Sequence, residues 1–243
     1  MNILEHLKQT KIFELYIFGI DASITNGVIV MLLAVSLVFI FFFAVGRRVK
    51  LIPTPLQSIA EYLIEFIREE MLKPLGESGE IFLPFIVSVF SFILVSNLLG
   101  IIPGFLPTTS NINVTATLAA IIFLTTHVVG VLKHGPVGYV KSFIPSGIPV
   151  PVAVFLLPVE IVGQLARPFS LAVRLFANMF AGHATILMLI SLIFVFKNYM
   201  IVPFPVVGDV AISAFEIFVA LIQAFIFTYL SSSYIVGALK PEH

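Results

Sequence analysis

The sequence predicts an all-α polytopic membrane protein. About five membrane-crossing helices and an amphipathic surface helix are expected, with two long, steeply tilted C-terminal helices forming an antiparallel hairpin. Three observations carry this reading. Hydrophobic residues make up 59% of the 243 and charged residues only 11%, with a mean hydropathy of +1.12, a balance no water-exposed surface tolerates. Apolar runs recur that are long enough to cross a hydrocarbon core of ~30 Å, which needs roughly 20 residues per helix. Polar residues inside the last two runs fall at helical spacing rather than at random.

Residues 1–26 read as an N-terminal outer segment. Glu5, His6, Lys8, Lys11 and Glu14 precede any long apolar run, unlike a cleaved signal peptide, so this stretch is expected to remain as an ordered or partly ordered tail. Residues 27–147 hold three spans. The first runs from Gly27 to Val45 and ends at Gly46-Arg-Arg-Val-Lys50; the second runs from Ile81 to Ile102 and is closed by Pro103, Gly104 and Pro107. The third runs from Val114 to Leu132, is interrupted by His127 and is closed by Lys133-His-Gly-Pro136. Between the first two, about 55–73 predicts the surface helix: Glu61, Glu65, Arg68 and Glu69 recur at helical spacing while Ile59, Leu63, Ile64, Phe66 and Ile67 fill the other side.

Residues 148–243 form the tilted hairpin. From Pro149 to Phe196 no turn cluster breaks the apolar character, and one helix of that length would reach about 70 Å, twice the bilayer thickness. Pro158 and Pro168 lack the Gly, Asn, Asp or Ser neighbours of a hairpin loop, which favours a steep tilt over a fold-back. Lys197-Asn-Tyr interrupts the chain, Pro203 and Pro205 mark the turn, and a last helix is expected from about Val207 to Ala238.

Thirteen basic residues balance thirteen acidic ones, which argues against nucleic-acid binding and against strong attraction to anionic lipid. The distribution is more informative than the sum. Arg47, Arg48, Lys50, Arg68 and Lys73 follow the first span, Lys133 and Lys141 the third, and Lys240 the last, whereas Gly104 to Asn113 has no Lys or Arg. Five crossings then put the amino end outside and the carboxyl end in the cytoplasm, leaving Lys197 in an outer loop. Without tryptophan, an interfacial aromatic belt falls to Tyr16, Tyr139, Tyr199 and Tyr234. There is no cysteine, hence no disulfide framework or thiol site.

Arg174 lies deep in the most apolar half of the chain. A fixed cation there costs roughly 2.5–3.5 kcal/mol on insertion scales, so an intramembrane arginine is a functional-site hypothesis by default. Glu160, Gln164, Arg167, Leu171, Arg174 and Asn178 alternate in steps of four and three, which sets them along one helix face; Asp209, Ser213, Glu216, Ala220 and Gln223 form a matching row on the last helix. Such seams must face protein or water. Interhelical hydrogen bonding alone would account for Gln164, Ser170 and Ser213, but it does not require a permanent charge.

A proton relay needs groups that accept and release near neutral pH, which an imidazole does unaided and a carboxylate does when desolvated. His183 and Glu216 lie at similar distances from the turn and hence at similar depth. Arginine stays protonated; it can hold a facing carboxylate ionised and bar a proton from passing. His127 reads chiefly as a hydrogen-bonded packing residue. His6, His134 and His243 show no ligand-like spacing, so no metal site is expected. No Gly-rich phosphate loop or dinucleotide fingerprint is present, so neither nucleotide nor another cofactor is expected.

Arg167-Pro-Phe-Ser-Leu-Ala-Val-Arg-Leu-Phe-Ala-Asn-Met-Phe-Ala-Gly-His183, with Leu221-Ile-Gln-Ala-Phe-Ile-Phe227 downstream and Asn97-Leu-Leu-Gly-Ile-Ile-Pro103 upstream, closely resembles subunit a of the F-type ATP synthase, bacterial type. The resemblance implies a stator of a rotary membrane sector in the bacterial inner membrane, not catalytic alone, facing a c-subunit ring and peripheral-stalk b subunits. It assigns the essential arginine to Arg174, with Gln223 beside it. It also sets Asn178, His183 and Glu216 in an outer half-channel, which Asp209 would open, and Glu160 in a cytoplasmic one. Many relatives carry Glu where this chain has His183 and His where it has Glu216, an exchange that keeps one carboxylate and one imidazole together. Arg167 falls at a position that is basic in many relatives, and its distance from Arg174 suggests a peripheral role, near the inner channel or lipid headgroups. A secondary transporter binding an anionic substrate at Arg174 is the competing expectation; it would predict internal repeats, which the sequence lacks.

Overall fold

The computed structural model describes residues 11–13, 16, 17, 20, 21, 23–47, 49–73, 76–102, 105, 107–143, 149–196 and 202–239. Arg48, Pro103, Gly104, Lys197, Tyr199 and Lys240, named above for loops and orientation, lie outside them, as do His6 and His243. The protein is an all-α polytopic membrane protein with, among the described residues, five helices long and apolar enough to cross a bilayer. The departure from all-α is small and sits at the amino end. There β1 (Lys11–Phe13) pairs antiparallel with β4 (Ile24–Thr25), and β2 (Tyr16–Ile17) pairs with β3 (Ile20–Asp21).

Helix α1 spans Asn26–Gly46. Thr25 caps it by accepting a hydrogen bond from the Val28 amide at 3.4 Å, satisfying one of the orphan donors of the first turn. It buries only Gly27, Val30 and Ala34 and leaves Leu32, Phe39 and Ile40 exposed, the surface expected of a helix solvated by lipid. Helix α2 spans Pro55–Ile67, with Thr54 at the N-cap and Pro55 where its missing amide is harmless. A π-helical turn, Arg68–Leu72, continues it.

The surface helix is more elaborate than a two-sided pattern. Gln57, Ala60, Ile67, Met71 and Leu72 turn inward, while Leu56, Ile59 and Tyr62 form a second, exposed apolar stripe beside the acidic one. Ile59 therefore does not join the buried side with Ile67: at about 100° per residue it lies roughly 200°, just over half a turn, from buried Gln57. Gln57 is buried and makes three side-chain bonds: Nε2 donates to the Lys50 carbonyl and to Glu61, and Oε1 accepts from the Lys50 amide. The chain entering α2 is thereby tied to its first turn. Farther on, Lys73 donates to Glu69, a hydrogen bond that raises the lysine above its ordinary pKa.

Helix α3 (Leu83–Ile101) follows a 3-10 turn at Glu77–Phe82. Helix α4 spans Ile112–Lys141 with a break at Gly135, so the first of its two segments closes at Lys133-His-Gly-Pro136, as expected. Gly135 takes φ 72° and ψ 163°, a backbone conformation open to glycine, and Pro136 starts a short second segment as a first-turn proline can. That segment lays Tyr139 over Gly130, where no side chain larger than hydrogen fits.

Helix α5 runs Val150–Phe196 without a break, Pro158 and Pro168 included, so this stretch does not fold back on itself. Helix α6 spans Pro203–Leu239. It begins four residues before the expected Val207: Pro203 and Pro205 are not the turn but the first turn of the helix, where a proline needs no amide partner.

The chain gathers into two compact units, one of Met1–Val49, Phe90–Ile112 and Leu175–Phe225, the other of Lys50–Val89, Asn113–Arg174 and Ile226–His243. In the first, Val30, Ala34, Ile93, Leu175, Met179, Ala220 and Ala224 are buried. Asn97 and Thr109, both fully buried, share a 2.7 Å hydrogen bond, and Gly100 admits the ring of Pro107 so closely that a methyl group there would collide with it. In the second, Ile67, Met71, Leu72, Ile86, Ile122, Leu171, Phe227 and Ile235 form the core.

Candidate functional site

Within the first unit, α5 and α6 lie side by side and antiparallel. Three contacts set the register: Gly208 against Leu189, Gly182 against Glu216, and Asn178 against Gln223. As the α5 number falls the α6 number rises, which only antiparallel neighbours produce. The row Asp209, Ser213, Glu216, Ala220 and Gln223 faces inward here, with Glu216, Ala220 and Gln223 buried.

Asn178 Nδ2 donates to Gln223 Oε1 at 3.4 Å, using a side-chain acceptor on one helix and a donor on the other to join the two seams. Gln223 Nε2 keeps an unused donor among the described residues, and the Glu216 Oε1 and Asp209 Oδ1 atoms are likewise buried without a hydrogen-bond partner. Unpaired polar atoms at such depth are costly unless water or a proton meets them. Glu216 is 8% exposed, and its carboxylate occupies the space that a side chain at position 182 would fill. The glycine just before His183 thus admits the acid to α5. Asp209 lies two helical turns before Glu216 on the same face.

Within the second unit, Glu160 accepts from Gln164 Nε2 at 3.0 Å, and Gln164 Oε1 accepts from Arg167 Nη1 at 3.2 Å. Arg167 Nη2 closes the triangle 3.6 Å from Glu160 Oε1. The Arg167 guanidinium also lies over the Tyr234 ring, 5.3 Å from its centroid, a cation–π placement. Arg167 is thus the direct partner of Glu160, the acid seven residues earlier that is expected in the cytoplasmic half-channel. The i, i+4, i+7 spacing carried that signal.

Arg174 ends this unit. Leu171, Ala172 and Leu175 around it are buried, whereas Arg174 stays on the exposed flank and its one hydrogen bond is donated to Ser170 at 3.4 Å. Among the described residues it has no ion pair. So held, the guanidinium leaves most of its five donors unused among the described residues.

A family model described as ATP synthase A chain matches residues 28–236. The chain belongs to the ATP synthase subunit a family. It is 41% identical to ATP synthase subunit a of Chloroherpeton thalassium over 92% of this chain and 69% of that one. It is 40% identical to that of Magnetococcus marinus over 98% and 93%, and 39% identical to that of Hyphomonas neptunium over 100% and 97%. As a member of this family it is a multi-pass membrane subunit of the ATP synthase and assembles with other subunits of that complex.

Proposed function

We propose that this chain is the stator of the rotary membrane sector, providing two offset half-channels that carry ions to and from the carboxylates of a c-subunit ring. The observation that carries the reading is Arg174: an intramembrane guanidinium on an exposed helix flank, with no ion pair among the described residues. The cost of placing it there is offset when a carboxylate from a neighbouring subunit moves against it.

Ions enter from outside past Asp209, Glu216 and His183, with the Asn178–Gln223 bridge at the inner limit of that path. Buried acceptor atoms on Asp209 and Glu216 suit a chain of waters handing protons inward. The ring carboxylate takes up the proton, travels through lipid with the rotor and releases it on the cytoplasmic side by way of Glu160. Arg174 separates the two paths, since it neither gives up its proton nor lets the ring carboxylate pass it uncharged. Moving one charge across 100 mV yields about 2.3 kcal/mol, and a leak past Arg174 would dissipate it. The ion is H⁺ or Na⁺, a choice made by the ring site rather than by this chain.

On this reading the chain is not catalytic alone. Its partners are the c ring, the peripheral-stalk b subunits and lipid, in a bacterial inner membrane with the amino end outside and the carboxyl end in the cytoplasm. Residues 148–243 carry the ion path. Vesicles reconstituted with this chain, with and without ring subunits, test the proposal. Ion flux is expected only with the ring present; flux from the chain alone would assign it to a transporter.

A further inference from the structure

In the second unit, Tyr234 sits on α6 between side chains that are turned inward. Ser231, Ser232, Ile235 and Val236 are buried, and the hydroxyls of Ser231 and Ser232 donate to the Phe227 and Tyr229 carbonyls of their own helix at 2.7 and 2.8 Å. Core packing thus fixes the backbone from which the Tyr234 ring projects. Arg167 is placed differently: its side chain is 42% exposed and ends a long flexible stem. The guanidinium carbon nevertheless lies over the Tyr234 ring, 5.3 Å from the centroid, within the range of a cation–π contact. Its nitrogens turn the other way, Nη1 to Gln164 Oε1 at 3.2 Å and Nη2 to Glu160 Oε1 at 3.6 Å.

We propose that Tyr234 is a positioning residue, whose ring holds the Arg167 guanidinium against Glu160 and so sets the place of that carboxylate. A guanidinium that meets a ring through its face keeps its N–H donors, which radiate in its own plane, for other partners. One group can therefore engage the ring, the amide and the acid at once, which the point charge of a lysine would not do. Gln164 and Glu160 share α5 with Arg167, so neither fixes the guanidinium relative to a second helix. Tyr234 does, because it reaches Arg167 from α6. It acts on the acid only through the cation, and has no hydrogen bond of its own to Glu160 among the described residues.

This inference rests on the proposed cytoplasmic path through Glu160, and the test separates the two. In the intact synthase reconstituted in proteoliposomes, with subunit content checked, ATP-driven pumping is followed as H⁺ or Na⁺ uptake. The variants are Tyr234→Leu, Tyr234→Phe, Arg167→Ala, the Tyr234→Leu/Arg167→Ala pair and Glu160→Gln. Phenylalanines bearing one, two and three fluorines are also placed at position 234, which draws negative charge off the ring face while nearly keeping its volume. Tyr234→Leu is expected to slow pumping about threefold, the effect of one partly exposed cation–π contact, with Tyr234→Phe keeping more than half the rate because the ring persists. The fluorinated series is expected to decline stepwise, and it alone decides if Tyr234→Leu does not assemble. The double variant is expected to match Arg167→Ala, because an effect exerted through Arg167 vanishes with it. Equal rates across the fluorinated series, or a double variant slower than Arg167→Ala, would mean a packing role and overturn the inference. Full activity in Tyr234→Leu together with slow Glu160→Gln would overturn it but leave the path. Full activity in Glu160→Gln would remove the path itself, and the positioning role with it.

Discussion

Glu216 on α6 places its carboxylate where a side chain at Gly182 on α5 would be, with Oε1 buried and without a hydrogen bond among the described residues. The acid reaches the helix that carries His183 because the residue before the imidazole has no Cβ. Gly182→Ala is accordingly expected to push the carboxylate aside and slow ion-driven ATP synthesis roughly tenfold while the complex still assembles, since misplacement of order 1 Å at a reacting group costs that much or more. Shortening the acid in Gly182→Ala/Glu216→Asp should recover part of the rate. Normal synthesis by Gly182→Ala would show that the contact does not matter to the path.

Arg174→Ala is expected to abolish coupled synthesis with assembly largely intact. Its neighbours Leu171 and Leu175 supply the packing, and its own hydrogen bond to Ser170 is long, so little stability is lost with it. Synthesis rates and subunit stoichiometry in purified complexes check both halves of this expectation. Normal ion-driven synthesis would defeat the assignment of the barrier.

Asp209 and Glu216 share a face of α6, but Glu216 is the more deeply buried and the one packed against α5. Glu216→Ala is therefore expected to slow proton entry more than Asp209→Ala does. Passive proton uptake into vesicles bearing the ring and this chain is the measurement. Equal and near-normal rates in both variants would remove the outer path.

Asn97→Leu should destabilise the folded chain by about 1–3 kcal/mol, the cost of leaving a buried partner unsatisfied, because Thr109 donates to Asn97 in an interior that excludes water. A lowered thermal midpoint of the detergent-solubilised complex is the expected readout; an unchanged midpoint would mean that water reaches Thr109.

Much of this architecture was legible in the sequence. Long apolar runs dictate spans through bilayer thickness alone, and the four-and-three spacing from Glu160 to Asn178 names a helix face without any coordinates. The stretch from Pro149 to Phe196 reads as one helix because no turn chemistry interrupts it, and α5 is one helix. The prolines misled at Pro203 and Pro205, where a residue that breaks a helix interior also begins one well. The end of the third span at Lys133-His-Gly-Pro136 is legible too, since Gly135 breaks the helix there; what glycine does not say is whether helix resumes beyond it. Pairings between helices were the least legible part. Gly182 carries no chemistry of its own, so nothing in the sequence announces that Glu216 needs its empty side, whereas the seven-residue step from Glu160 to Arg167 does put those two on one face.

The contacts at Leu189–Gly208, Gly182–Glu216 and Asn178–Gln223 behave as a reading frame between two helices. One residue inserted between Asn178 and Gly182 would turn everything beyond it by about 100° and advance it 1.5 Å, carrying His183 to a different side of the helix while Gln223 kept its place. An imidazole and a carboxylate exchanged across this seam would leave both helices in phase, whereas a single position added or removed there would not.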